Sequence, residues 1–348
     1  MQAFSDIVGG EGFKVLIMSD PQPDRLCPKY GYPTIFGRDP WIQTNRPVVE
    51  GMNKLIEQAS TTPTTIDFGI INGDLTEFGW LFEHDLYRET YPNKILVPVY
   101  EGLGNHDYVN NKGDCWLFGY TTKDGCAINS INYMASRYDI YKSNINQKTN
   151  FNYDWNRVSF GHYVGSLSYS FDYFGVHFVQ LQNYPTYHGQ YYTFGWTYDI
   201  TPSLDWLEKD LKAATTRGQK IILNWHDGTD HIREDRNSLE KFKKILLKYK
   251  VSAIFLGHYH RQYYSTFDGT GIPMYMPGAL FCGGYYVVNF QDKKMYVNYY
   301  ATDLETGSAV LMSSREQNYY VSTQASIFMY QNSFKTLFDV LMIDVENK

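Results

Sequence analysis

The chain has 348 residues and a net charge of −6, a balance that argues against sequence-independent nucleic-acid binding, which draws its affinity from Lys and Arg on phosphates. With 43% hydrophobic and 20% charged residues it reads as an ordinary globular protein, long enough for one large domain or two ordinary ones. No stretch approaches the roughly 20 apolar residues a membrane span needs, and the first apolar run, at 13–18, is too short for a signal peptide.

Short apolar runs alternate with helical patterns, which predicts an α/β or α+β architecture. The run at 14–18 precedes a helix: Asn45 and Pro47 suit its first turn, and Val49, Met52, Ile56 and Ala59 recur at helical spacing. Runs at 66–72 and 95–103 come next. Residues 108–165, rich in Asn, Tyr and Ser, look like an insertion that shapes the substrate site, with one helix near 128–138. Runs at 168–174 and 176–181 lead to a helix opened by Thr201-Pro202, with Leu204, Leu207 and Leu211 on one face. The run at 221–225, a helix carrying Leu239, Phe242, Leu246 and Tyr249, and the run at 252–256 follow. Strands at 273–276, 285–290 and 295–300 complete a main domain of residues 1–306. Phe334, Leu337, Phe338 and Leu341 predict a helix in an extension, 307–348, packed on the core.

The four cysteines, Cys27, Cys115, Cys126 and Cys282, lack the spacing of a structural zinc site. Cys115 and Cys126 share one Gly-, Asp- and Thr-rich loop. Bridged, they place the chain in an oxidising compartment, secreted or periplasmic; as free thiols they suit a cytoplasmic one. The 32 tyrosines are too many for a core to bury with every hydroxyl paired, which predicts aromatic surface for a ligand or partner, or a compositional habit.

Five apolar runs end in metal-binding residue types. They lead into Asp20-Pro21-Gln22, Gly73-Asp74, Gly104-Asn105-His106-Asp107, His226-Asp227-Gly228 and Gly257-His258-Tyr259-His260. Each motif alone is ordinary loop chemistry. Ligand sites of α/β sheets lie beyond the carboxyl ends of the strands, so five such strands side by side gather one acidic, amide and imidazole cluster.

In this order the blocks resemble the calcineurin-like metallophosphoesterases, over roughly residues 13–300. The resemblance implies a four-layer fold, two mixed β-sheets face to face with helices outside, and two divalent ions at the C-terminal ends of the strands. It implies that Asp74 bridges both ions, that Asp20, Gln22 and His260 complete one shell, and that Asn105, His226 and His258 complete the other. It also implies that His106 is the general acid, with Asp107 orienting its ring, while a hydroxide activated by both ions attacks the phosphorus. One block departs from the family: Gln22 stands where its members usually have His. An amide oxygen is a harder, weaker donor than imidazole, so manganese, foremost, or magnesium or iron fits that shell better than zinc.

Arg38, Trp80, His84, Tyr108, Tyr187 and His188 are candidates for the substrate wall, and Asp227, Asp230 and His231 for outer partners of the ligands or for loop caps. The substrate expected is a phosphorylated small molecule, a lipid head group or a phosphoprotein, as a monoester or diester. Two other readings stay open: a non-catalytic metal-binding interaction module on the same fold, and a secreted effector or toxin-like phosphoesterase.

Overall fold

Apart from Lys14, residues Phe13–Met18 are apolar on both sides of an extended chain, and the strand they form is otherwise buried on both faces. The computed structural model of the protein describes residues 12–28, 38–113, 115, 122–143 and 148–319. In chain order the first elements are β1 (Phe13–Met18), α1 (Arg38–Ser60), β2 (Ile66–Ile71), α2 (Leu81–Thr90), β3 (Val99–Glu101) and α3 (Gly125–Ser143). Then come β4 (Thr149–Tyr153), β5 (Asn156–Ser159), β6 (His162–Gly165), β7 (Tyr169–Tyr173), β8 (Val176–Gln180), β9 (Gly189–Thr193) and β10 (Trp196–Ile200). They are followed by α4 (Leu204–Thr216), β11 (Lys220–Asn224), α5 (Arg236–Lys248), β12 (Ala253–Phe255), β13 (Gln262–Thr266) and β14 (Pro273–Pro277). The last are β15 (Gly284–Phe290), β16 (Lys294–Thr302) and β17 (Ala309–Asn318).

A six-stranded sheet, ordered β17-β16-β15-β1-β2-β3, faces a seven-stranded one, ordered β13-β14-β12-β11-β8-β7-β4. Both are mixed: β1, β2 and β3 run parallel, as do β8, β11, β12 and β14, and antiparallel strands flank each set. Between the sheets Phe68 meets Phe178 and Phe171 edge-on, with ring centroids 5.3 and 5.6 Å apart. Helix α1 lays Trp41, Val48, Val49 and Met52 on the first sheet, while α4 and α5 bury Leu207, Leu211, Phe242 and Leu246 against the second. The expected four layers are therefore present.

A third, four-stranded sheet, ordered β5-β6-β10-β9, was not expected, and neither was α2. Helix α1 also begins earlier than the pattern predicts. Asn45 is no cap: its Nδ2 donates back to the Trp41 carbonyl at 2.8 Å, and Pro47 lies inside the helix. Tyrosines, rather than covering the surface, supply most of the largest fully buried side chains beside Trp41 and Trp225. Many of their hydroxyls find buried partners, although those of Tyr100 and Tyr275 do not. Glu101, at the end of β3, accepts from Tyr133 at 2.9 Å and from Tyr141, beside Arg137 Nε at 3.1 Å, and so ties α3 to the site end of the sheet. Residues 307–308 lead into β17; the helix expected around Phe334 lies outside the described residues.

Candidate metal centre

The five motif loops leave β1, β2 and β3 of one sheet and β11 and β12 of the other, not five neighbours of a single sheet. They converge where the carboxyl ends of both sheets meet. The backbone there is strained: Asp20, Gln22, Asp24, Asp74, His258 and His260 all have φ between 33° and 75°, a region that non-glycine residues occupy at a cost of about 1–3 kcal/mol each. Gly104 admits the close approach, since a Cβ there would lie 2.2 Å from Asp74 Oδ1. Strain gathered at one place is the mark of a functional site rather than of folding need.

Asp74 lies at the middle, fully buried. Its Oδ1 accepts from the His106 N–H at 2.9 Å, and its Oδ2 is 3.1 Å from His226 Nε2. His226 Nδ1 donates to the Asn72 carbonyl at 2.7 Å, which fixes the ring and aims Nε2 inward, as ligand imidazoles require. Asn105 Oδ1 sits between His226 Nε2, at 3.0 Å, and His258 Nδ1, at 2.9 Å. Asp20 Oδ1 is buried and accepts no hydrogen bond, with His260 Nε2 3.2 Å away. Two donor sets result, Asp74–His226–His258 and Asp20–Asp74–His260, each with donor atoms within 4.8 Å of one another and sharing Asp74. Borderline imidazole and hard carboxylate donors around a shared carboxylate fit divalent cations.

Asp74 and His226 also pair electrostatically. Burial opposes charge on both Asp74 and His226, but each outweighs it for the other: Asp74 is held well below the usual carboxylate range and His226 is pushed up to about 10. Burial and the neighbouring His226 lower His258.

Gln22 does not match its expected role. Its Nε2 donates to Asp74 Oδ2 at 3.2 Å and to Glu77 Oε2 at 3.0 Å, while its Oε1 accepts from Arg25 at 3.4 Å. The amide thus presents protons, not its oxygen, to the shared carboxylate, because two carboxylates on one side can only be met by a donor. Asp107 differs too. It accepts from the Gly104, Leu75 and Thr76 N–H groups and from Thr76 Oγ1, at 2.7–3.1 Å, and does not touch the His106 ring. The ring is set by Glu77, whose carbonyl lies 3.0 Å from His106 Nδ1 and whose Oε1 lies 3.7 Å from it; Arg25 Nη2 holds that carboxylate at 2.7 Å.

The expected substrate wall is only partly a surface. Tyr108 is buried and packs edge-on against Tyr187, itself buried and hydrogen-bonded to Tyr191. His84 is buried under Tyr133 and 2.9 Å from Ser130 Oγ, and burial lowers its pKa to about 3, so it is a neutral core group. Trp80 is half-buried between Phe78 and Phe82. Arg38 and His188 are exposed, Arg38 within electrostatic reach of the buried Asp24. Asp227 holds His231 Nδ1 while Tyr184 stacks on that ring, and Asp230 accepts from Tyr259 at 2.6 Å. Glu77, Arg25 and Gln182 were missed. Gln182 joins loops behind the centre, accepting from Leu103 N at 2.7 Å and donating to the Leu167 carbonyl at 2.6 Å. A Glu three residues after Asp74 was the only available signal.

A two-sheet sandwich whose strand ends gather two candidate donor sets around one shared carboxylate is suited to divalent cations. The family model for the calcineurin-like phosphoesterases matches residues 13–262, and the chain belongs to that family. No curated protein matches the sequence. Among solved structures, GAP50, the anchor in the inner membrane complex of Plasmodium, is similar at 11% identity, covering 88% of each chain with a TM-score of 0.46. The 5'-nucleotidase of Candida albicans is 12% identical over 90% of this chain and 52% of its own, with a TM-score of 0.41. Vps29 from Entamoeba histolytica, complexed with zinc, is 10% identical over 88% of this chain and 99% of its own, with a TM-score of 0.31. Among the described residues no helix is long and apolar enough to cross a membrane.

Proposed function

We propose that the protein is a metal-dependent hydrolase of phosphate esters, and the sharing of Asp74 by two donor sets, with His106 beside it, carries the reading. Asp20, Asp74 and His260 would hold one cation, and Asp74, Asn105, His226 and His258 the other. Two divalent cations there would neutralise charge on the phosphoryl oxygens and make water acidic enough to supply hydroxide. With Nδ1 tied to the Glu77 carbonyl, His106 keeps Nε2 for the leaving oxygen, and the Glu77 carboxylate provides negative charge beside the imidazolium that an acid requires. Asp107 acts at one remove, by fixing the loops that carry Asp74 and Asn105.

The first set is rich in hard oxygen donors, which favours manganese, magnesium or iron over zinc. In this reading the phosphoesterase domain extends past 306 to include β17 of the first sheet, and of 108–165 α3 backs the site while β4 joins the second sheet. Disulfides Cys27–Cys282 and Cys115–Cys126 fit an oxidising compartment. Gln22, with its protons toward Asp74, favours one alternative, a metal-binding module without turnover. Hydrolysis of aryl phosphate mono- and diesters with manganese, magnesium or zinc, compared with Asp74→Asn, separates the two: metal binding without any Asp74-dependent turnover would leave only the module.

A further inference from the structure

The two most exposed large apolar side chains among the described residues are Phe160, at 86%, and Phe194, at 76%. Both sit in two-residue turns of the four-stranded sheet, Phe160-Gly161 between β5 and β6 and Phe194-Gly195 between β9 and β10. The turns lie side by side: β6 and β10 are parallel neighbours with His162 opposite Thr197, and Thr197 N donates to the Gly161 carbonyl at 2.7 Å. Both glycines take left-handed φ, 70° and 80°, so the turn geometry is supplied by glycine and asks nothing of the phenylalanine before it. Tips normally carry Asn, Asp, Ser or Pro, and an apolar ring in open water gains nothing in folding. That this occurs twice, on adjacent tips, points away from folding as the cause.

Behind the tips an aromatic ladder leads inward. Phe160 lies 5.8 Å from Trp196, which stacks on Tyr163 at 6.0 Å, and Tyr163 on Trp155 at 5.8 Å. Val158, 57% exposed, extends the apolar end. On a chain of net charge −6, neither turn nor its flanking residues 156–163 and 189–198 contain a carboxylate. The exposed Arg157 stands over the Phe160 ring at 5.4 Å, while His162 is matched by Asp199 at 2.7 Å. The surface is a convex pair of apolar tips, with a cation beside them and half-buried Trp and Tyr rings behind. A convex tip has no groove to receive a peptide or a helix. A bilayer, into which protruding rings sink while Trp and Tyr stay at head-group level, is its complement.

We propose that the Phe160 and Phe194 turns dock the protein on the head-group–acyl boundary of an anionic bilayer. The proposal is independent of the phosphoesterase reading. The test is co-sedimentation of the full chain with phosphatidylcholine vesicles, with and without phosphatidylserine. Phe160→Asn/Phe194→Asn keeps turn-compatible residues, and a wild-type-like thermal melt verifies its fold. Wild type should partition onto both vesicle types and more strongly onto the anionic one. The double variant should lose about 100-fold, roughly 10-fold for each ring removed from the boundary. Arg157→Gln should weaken only the anionic arm, and Leu311→Ser, which removes another exposed apolar side chain elsewhere, should change nothing. No partitioning by wild type, equal partitioning by the double variant, or an equal loss in Leu311→Ser would each overturn the proposal. So would a wild-type dimer that the double variant abolishes without vesicle binding, which would assign the tips to a second copy.

Discussion

Asp107 shows how one carboxylate fastens two motif loops, taking protons from Leu75 and Thr76 after β2 and from Gly104 after β3. An amide keeps one acceptor and turns an NH₂ toward N–H donors, so Asp107→Asn should cost about 1–3 kcal/mol, read by urea unfolding; unchanged stability would mean the donors find other partners. His106→Ala should lower turnover about 10²-fold or more and leave bound metal intact, since acid catalysis contributes about that much. Loss of metal instead would make His106 a ligand. Gln22→Ala should keep the metal count of the native protein after dialysis, because the amide oxygen faces Arg25; loss of one ion per chain would show that the oxygen turns inward. The clustering of the candidate donors was legible because metal chemistry admits few residue types at strand ends. The supporting ones were not. Asn105–Val109 is a helical turn, on which neighbours point roughly 100° apart, so His106 and Asp107 face different surroundings although adjacent in sequence.

Among the elements, the apolar runs foretold the buried strands of both main sheets, since a strand covered on two faces must be apolar throughout. The four-stranded sheet was hidden because its strands carry Asn, Gln, Thr and Tyr in short alternation. Helix α2 was hidden because only a narrow stripe, with Leu86 and Tyr87, is apolar. A further buried cluster joins α4 to the second sheet: His177, on β8, is 2.6 Å from Asp172 of β7 and 2.8 Å from Asp210 of α4, and Arg217 Nε meets Asp172 at 2.7 Å. Burial lowers the His177 pKa, but its hydrogen bonds to both carboxylates outweigh that and the net direction is up. Burial raises Asp172, yet His177 and Arg217 bring it net down. The histidine's contribution is complete below its unfolded value near 6.5 and is lost as pH rises through the elevated folded value. The aspartate's is complete above its unfolded value near 3.9 and is lost as pH falls through the depressed one. His177→Ala, which leaves two buried carboxylates facing each other, should therefore cost roughly 3–5 kcal/mol near pH 5–6, and the deficit should shrink toward pH 9. Thermal melts of both proteins across that range decide it. A deficit that grows with pH would mean His177 is neutral in the folded protein.

At the scale of the molecule, the bridge Cys27–Cys282 closes 255 residues of chain, against 11 for Cys115–Cys126. In chain-entropy terms the long bridge removes on the order of 5 kcal/mol from the unfolded state and the short one about 3 kcal/mol. Sequence spacing suggested only the short pair, because a contact between distant segments leaves no local mark. The long bridge also has a local consequence. Cys27 follows the Asp20-Pro21-Gln22 loop, and Cys282 closes the turn in which Leu280 N donates to the Ser19 carbonyl at 2.8 Å and Phe281 packs its ring edge-on to His260 at 5.0 Å. The bridge therefore ties the Asp20 loop to the turn whose Phe281 packs against His260, whereas Asn105 and His226 follow β3 and β11 and, among the described residues, have no contact with that turn. Cys282→Ser should lower thermal stability and let the Asp20–Asp74–His260 set lose its ion first. Metal per chain, measured after graded chelation, should then fall in two steps rather than one. Cys126→Ser should lower stability by the smaller amount and leave the native metal profile, because the loop it closes holds no donor. If Cys282→Ser releases both ions together, or neither, the clamp does not act on the first set and the bridge serves stability alone.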